Sequence, residues 1–145
     1  MNQDRIFTTV ARAMGAAHTA LYRRTGGRIG GRFRGAPCLL LTVTGRKSGQ
    51  PRTAPLMYGR DGEDYIIIAS KGGMPKSPVW WLNLRSNPAA EVEVGAERLR
   101  VTAEQVEGEE RERLWRLMTG IYPTYDAYQK KTSRVIPVVR LRPAA

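Results

Sequence analysis

The chain has 145 residues, 41% hydrophobic and 26% charged, enough to build one folded core and too apolar for an intrinsically disordered protein. Its single cysteine, Cys38, rules out an internal disulfide, and no apolar run is long enough to span a bilayer as a helix. The formal net charge is +11, and between Asp4 and Asp61 there is no acidic residue at all, only Arg5, Arg12, Arg23, Arg24, Arg28, Arg32, Arg34, Arg46, Lys47, Arg52 and Arg60. Such a field suits a polyanionic partner such as a nucleic acid, an acidic lipid or a phosphorylated or polycarboxylate cofactor, or else a solvated surface; charge alone does not choose. The start, Asn2-Gln3-Asp4, lacks the apolar core of a secretory leader, so a cytoplasmic protein is expected.

In chain order, the first element expected is a helix over 4–24. Ile6, Val10, Met14, Ala17 and Leu21 recur at spacings of three and four and share one face. Thr25-Gly26-Gly27 ends it, and a Gly/Arg-rich connector runs to Gly35. Strands are expected over 38–44, 52–58 and 65–70, separated by the Gly45-Arg46-Lys47-Ser48-Gly49 turn and the tight Asp61-Gly62 turn. Lys71-Gly72-Gly73 breaks the third strand. Ser77 reads as an N-cap, with Pro78 at the first helical position of a helix that carries 79–85 and stops at Asn87-Pro88. Strands over 90–94 and 99–106 flank Gly95-Ala96. A charged amphipathic helix follows over 109–120, then an aromatic segment over 122–131 read as helical, and a last strand over 135–141. One domain is expected: a helix and connector over 1–35, and an antiparallel β-barrel of the α+β class over 36–145.

Hydrolytic and metal chemistry find little support. His18 is the only histidine, and no cluster has metal-ligand spacing. A function that borrows its reactivity from a cofactor fits better. The turn from Gly45 to Arg52 exposes backbone N–H groups amid three cations and the Ser48 hydroxyl; it is an anion receptor or a solvated hairpin tip. Ser70-Lys71-Gly72-Gly73 sets a cation and a hydroxyl where a strand breaks. Trp80 and Trp81 are adjacent on a short helix and point apart, so at least one belongs to the core, and its partner either joins it or lines a planar ligand. Tyr122, Tyr125 and Tyr128 lie three apart and share a helical face, as core packing or as hydroxyls facing an acceptor.

Taken together, these stretches resemble the deazaflavin-dependent nitroreductase family. The resemblance is carried by Thr25-Gly26-Gly27-Arg28, Leu39-Leu40-Leu41-Thr42, Gly45-Arg46-Lys47-Ser48-Gly49 with Arg52 and Pro55-Leu56, and Ser70-Lys71-Gly72-Gly73. It continues through Trp80, Leu82-Asn83-Leu84, Asn87-Pro88, Tyr122-Pro123-Thr124-Tyr125 and Ile136-Pro137. The resemblance implies a split β-barrel, related to the one that binds flavin mononucleotide, with an N-terminal helix and two or three others. It implies coenzyme F420, an 8-hydroxy-5-deazaflavin with an oligoglutamate tail, as cofactor. Arg46, Lys47 and Ser48 would then hold its phosphate or tail. Arg52, Thr53, Ala54, Pro55, Leu56 and Met57 would run along the ring and its ribityl chain. Ile68, Ala69, Ser70 and Lys71 would close the far side, with Val79, Trp80, Trp81, Leu82 and Asn83 as a second wall. Tyr125 would face the acceptor, flanked by Tyr122 and Tyr128.

The implied activity is transfer of a hydride from the reduced deazaflavin to a quinone, enone or nitro-aromatic acceptor. Ala54 and Met57 replace an asparagine and a tyrosine found in some relatives, which removes hydrogen-bonding groups near the acceptor. The partner is thus a small molecule and nucleic acid is not expected. The apolar stripe and arginines of the first helix either lie on an anionic membrane or cap the barrel. Alternatives are a flavin mononucleotide enzyme or non-catalytic carrier on the same barrel, and a basic nucleic-acid-binding module.

Overall fold

The computed structural model describes residues 16–28, 31–33 and 35–144. Residues 16–25 form helix α1 as far as it is described, so Ile6, Val10 and Met14 lie outside the described residues. Eight strands follow: β1 Arg32–Phe33, β2 Ala36–Thr44, β3 Pro51–Met57, β4 Gly59–Asp61, β5 Asp64–Ile68, β6 Ala89–Val94, β7 Glu97–Val106 and β8 Val138–Pro143. Helix α2 (Val79–Ser86) lies between β5 and β6, and α3 (Gly108–Ile121) and α4 (Thr124–Lys130) lie between β7 and β8.

Every strand pairing is antiparallel. Strand β2 takes β3 on one side and β6 on the other, and the order continues β6–β7–β8–β5–β4. The two ends of this order, β3 and β4, are consecutive in the chain with only Tyr58 between them. One bent strand therefore closes the barrel, while β3 pairs with β2 alone and keeps an open edge. This is the split antiparallel barrel of the α+β class expected above.

Alternation along the strands builds two cores. Leu39, Leu41, Val43, Tyr65, Ile67, Val139 and Leu141 point into the barrel and meet Trp81 and Leu84 of α2. Their neighbours Ile66, Ile68 and Val138 point outward and are covered by Leu114, Trp115 and Met118 of α3 and by Tyr122, Tyr125 and Ile136. Burying each large side chain contributes about 1.5–3 kcal/mol, so α3 and α4 are integral to the fold.

Several expectations change in detail. Strand β4 is not among the expected elements, and its Asp61 belongs to the expected Asp61-Gly62 turn. Its Gly59 is buried under α3, and a Cβ there would come within 2.6 Å of Leu117 Cδ2 and 2.7 Å of Met118 Sδ. Pro78, not Ser77, is the N-cap of α2, and no side chain caps this helix. The last strand starts at Val138 because the backbone at Ile136 is engaged elsewhere, with its N–H donated to Gln129 Oε1 and its carbonyl accepting from Arg111. In α1 the docking residue is Tyr22, only 1% exposed, whereas Ala17 and Leu21 face solvent. The Tyr22 hydroxyl accepts from Gly95 N–H at 2.7 Å and lies 3.1 Å from the Glu93 carbonyl, which fastens the end of α1 to the β6–β7 turn.

Candidate active site

The β2–β3 hairpin carries the cationic tip. Gly45 and Gln50 close it (N–H to carbonyl, 2.8 Å), and Gly49, with φ of 71°, turns it. Arg46, Lys47, Ser48 and Arg52 stand exposed around it. The Ser48 hydroxyl accepts from Gln50 N–H at 3.2 Å and from Arg52 at 3.4 Å, which keeps Arg52 folded toward the tip. Among the described residues no carboxylate lies within ion-pairing distance of Arg46, Lys47 or Arg52. Most of the other described arginines of the acid-free stretch have local employment. Arg23 pairs with Glu93, Arg32 donates to the Gly35 carbonyl, and Arg60 stacks on the Tyr65 ring.

Asn83 on α2 is 3% exposed and accepts from both the backbone N–H (3.1 Å) and the guanidinium (2.9 Å) of Arg46. It therefore acts as a strut between the helix and the tip rather than as an open wall. Replacing it with leucine keeps the volume but strands those donors. Asn83→Leu is expected to lower stability by about 1–2 kcal/mol, read as a fall in urea midpoint at constant slope. An unchanged midpoint would show that the strut carries no load.

From the tip, β3 leads along the open edge. Pro51 and Pro55 have no N–H for a ladder, so the backbone at alternate positions, including Thr53 and Met57, is directed away from β2 and toward that edge. Thr53, Ala54, Pro55, Leu56 and Met57 are all half-buried. Leu56 and Trp80 pack against the barrel core that contains Ala69 and Trp81. Met57 packs on the outer cluster with Ile68, Tyr122, Tyr125 and Tyr128. Strand β3 thus runs from a set of uncompensated cations to a set of aromatic hydroxyls.

The tyrosines form one assembly. Tyr122 ends α3, Tyr125 and Tyr128 lie on α4, and the three ring centroids are 5.1–6.2 Å apart. The Tyr122 and Tyr128 hydroxyls share a hydrogen bond of 3.1 Å. The Tyr125 ring is 3% exposed and its hydroxyl makes no hydrogen bond to the described residues. Burial, with the neighbouring phenols adding, pushes Tyr125 well above an ordinary tyrosine, so it stays a neutral donor. Trp115 Nε1 donates to Asp126 at 2.8 Å and ties α4 to α3.

Ser70 and Lys71 sit where β5 gives way to a 3-10 turn, Lys71–Gly73. Lys71 has φ of 46°, the one non-glycine with positive φ among the described residues. Gly73 lies against α4, where a Cβ would come within 2.5 Å of the Tyr128 carbonyl oxygen. The structure thus joins the hairpin tip to α2 through Asn83, β3 to the tyrosines through Met57, and the Ser70–Gly73 turn to α4. Trp81, Ile68 and Ala69 lie behind these surfaces in the core, Trp80 and Leu82 are half-buried, and Val79 is exposed. Thr42, which bonds Thr53 at 2.8 Å, and Arg23, which reaches Thr53 at 3.3 Å, are neighbours of β3 that sequence reasoning did not find. No local signal marks a contact between helix α1 and a strand thirty residues on.

Known proteins resemble this chain in sequence and fold. The profile of the F420H(2)-dependent quinone reductases matches residues 14–143. An F420H(2)-dependent quinone reductase of Mycobacterium tuberculosis (strain ATCC 25618 / H37Rv) is 51% identical over 128 residues, covering 86% of each chain. The solved structure of an F420-H2 dependent reductase (FDR-A) is 46% identical, with a TM-score of 0.69, covering 73% of this chain and 94% of that one. A structure described as a domain-swapped dimer is 39% identical, with a TM-score of 0.71, over 88% of this chain and 95% of that one. The chain belongs to the family of F420H(2)-dependent quinone reductases.

Proposed function

We propose that the open edge of β3 seats reduced coenzyme F420 with its anionic portion at Arg46, Lys47, Ser48 and Arg52, and that Tyr125 faces a quinone at the other end. The observation that supports this reading is the run of β3 from cations with no carboxylate partner among the described residues to Met57, which packs on the outer cluster that contains Tyr125. The residues fit the cofactor: the tip supplies guanidinium forks and an ammonium for phosphate and carboxylate oxygens, and the edge of β3 supplies a straight backbone for a planar ring. Bound there, the reduced deazaflavin supplies a hydride. The chain aligns the partners between β3, the Ser70–Lys71 turn and α4, and the aromatic cluster keeps water out. As a quinone accepts a hydride, negative charge develops on its carbonyl oxygens, and the Tyr125 O–H would donate to one of them. Tyr122 and Tyr128 hold each other and brace the Tyr125 ring from both sides.

The test is oxidation of the reduced cofactor by a water-soluble quinone, followed by absorbance. Tyr125→Phe removes one oxygen from a tightly packed ring. It is expected to lower kcat by about a hundredfold, as removal of a preorganised donor does, with little change in KM for the cofactor. Because burial raises this phenol, no rate loss assignable to Tyr125 should appear as pH rises from 7 through the normal tyrosine range near 10. A fully active Tyr125→Phe enzyme would remove Tyr125 from the chemistry.

Membrane association of a cytoplasmic enzyme belongs to the same reading. No helix among the described residues is long and apolar enough to cross a membrane. Ala17 and Leu21, the latter 46% exposed, face away from the barrel beside exposed Arg24 and Arg28, a composition suited to an anionic interface where lipid-soluble quinones reside. Leu21→Glu should reduce co-sedimentation with anionic vesicles several-fold and leave turnover of a soluble quinone intact. Equal sedimentation of both proteins would dismiss the interface.

A further inference from the structure

The Ser70–Met74 segment is an improbable shape for a chain to hold unaided. Lys71, Gly72 and Gly73 take φ values of 46°, 61° and 78° in succession, and a lysine in that region persists only where its surroundings over-determine it. The internal bonds of the turn are few: Gly73 N–H to the Ser70 carbonyl at 2.9 Å and Met74 N–H to the Lys71 carbonyl at 3.1 Å.

The missing restraint comes from sixty residues downstream. Arg134 Nε donates to the Met74 carbonyl at 2.9 Å, Nη1 to Ala69 at 3.2 Å and Nη2 to Ser70 at 2.6 Å. One rigid guanidinium thus spans both ends of the turn, a task that a lysine ammonium on a flexible stem performs poorly. Arg134 has no carboxylate partner among the described residues. Its position is in turn set by α4. Gln129 Nε2 donates to the Arg134 carbonyl at 2.8 Å, and the same carboxamide oxygen accepts from Ile136 N–H at 3.0 Å. On its other side the turn meets α4 directly, through Gly73 against the Tyr128 backbone.

We propose that Arg134 is a positioning residue: it locks the Ser70–Met74 turn into the shape the cofactor groove requires and keeps that turn in register with the tyrosines of α4. This rests on the reading of the groove as the cofactor site. Arg134 touches neither partner of the reaction; it acts through the carbonyls it gathers.

The decisive comparison is wild type against Arg134→Gln and Arg134→Lys, with two readouts. The first is amide hydrogen exchange of the protein without cofactor. Exchange at 70–74 should accelerate at least about tenfold in Arg134→Gln, while β6 and β7 keep wild-type protection. The second is the Kd for reduced coenzyme F420, which should rise about tenfold or more in Arg134→Gln and recover in part in Arg134→Lys, whose ammonium can still reach one or two carbonyls. A purely structural role would lower the melting temperature and leave both the pattern of exchange and the Kd at saturating fold unchanged. Wild-type exchange at 70–74 in a folded Arg134→Gln overturns the lock. Accelerated exchange with an unchanged Kd overturns its role toward the site. If Arg134→Gln does not fold, Arg134→Lys carries the same two tests. A wild-type chain that fails to bind the cofactor overturns the functional reading itself, and with it the positioning role.

Discussion

Replacing Arg46 and Lys47 together by alanine is expected to weaken binding of reduced coenzyme F420 by a hundredfold or more while leaving the melting temperature nearly unchanged. Hydrogen bonds to charged groups are worth about 1.5–3 kcal/mol each, and about 1.4 kcal/mol is tenfold in affinity, so two lost contacts reach that size. The fold should tolerate the change because both side chains are exposed and neither pairs with a carboxylate among the described residues. Asn83 keeps its bond from the Arg46 backbone N–H after the guanidinium is gone. Fluorescence titration over a range of salt concentrations checks the result, since the wild-type Kd should rise with salt more steeply than that of the double variant. A double variant that binds like wild type would move the anionic end of the cofactor away from the hairpin tip.

Arg140→Met is expected to cost the fold about 1–3 kcal/mol, because the buried guanidinium is lost while the carboxylates it leaves are about a quarter or more exposed and partly screened by water, and a melting temperature about 5 °C lower would report it. Arg140 is 7% exposed on the outer face of β8, where it donates to Asp64 at 2.6 Å, to Asp61 at 2.9 Å and to Glu110 of α3. Arg113 adds a two-pronged contact to Asp61. Methionine fills the volume but leaves three carboxylates with one exposed guanidinium between them. The hydrogen bonds from Arg113 and then Arg140 hold the Asp61 carboxyl well below the usual carboxylate range. A depressed folded value means the stabilisation is present above the unfolded pKa near 4 and is lost as pH falls below it. The gap between wild type and Arg140→Met should therefore be widest near neutral pH and narrow under acid. A gap that does not change with pH would assign the loss to packing instead. Cofactor binding at a temperature where both are folded should be equal, because this cluster lies beneath α3 and away from β3.

Much of this was legible in the residues. The apolar, β-branched runs Cys38 to Thr44 and Tyr65 to Ile68, the Gly45 and Asp61-Gly62 turns, and the spacing in α3 each carry their own local physics, and each appears in the structure within a residue or two of where the sequence puts it. Less legible were features whose cause is a distant surface. Gly59 gives no sign in sequence that it must lie flat under Met118, so β4 has no local signal. The apolar stripe of α1 left open whether it caps the barrel, and the buried contact is made instead by Tyr22, whose hydroxyl accepts from the N–H of Gly95.

The site divides in the same way. The absence of acid between Asp4 and Asp61 suited a polyanionic partner or a solvated surface, because charge is additive and needs no fold to be counted; the deazaflavin enzyme came from the family resemblance carried by the Gly45, Ser70 and Tyr122 stretches. Which cations pair with an acid among the described residues was decided only by the tertiary structure: Arg23 finds Glu93 seventy residues away, while Lys47 finds none there. So were the strut from Asn83 to Arg46, the contact of Met57 with the tyrosines, and the grip of Arg134 on the Ser70 turn. The hydrogen bonds among these span 37 to 65 residues, set by how a barrel closes, and no local spacing encodes them.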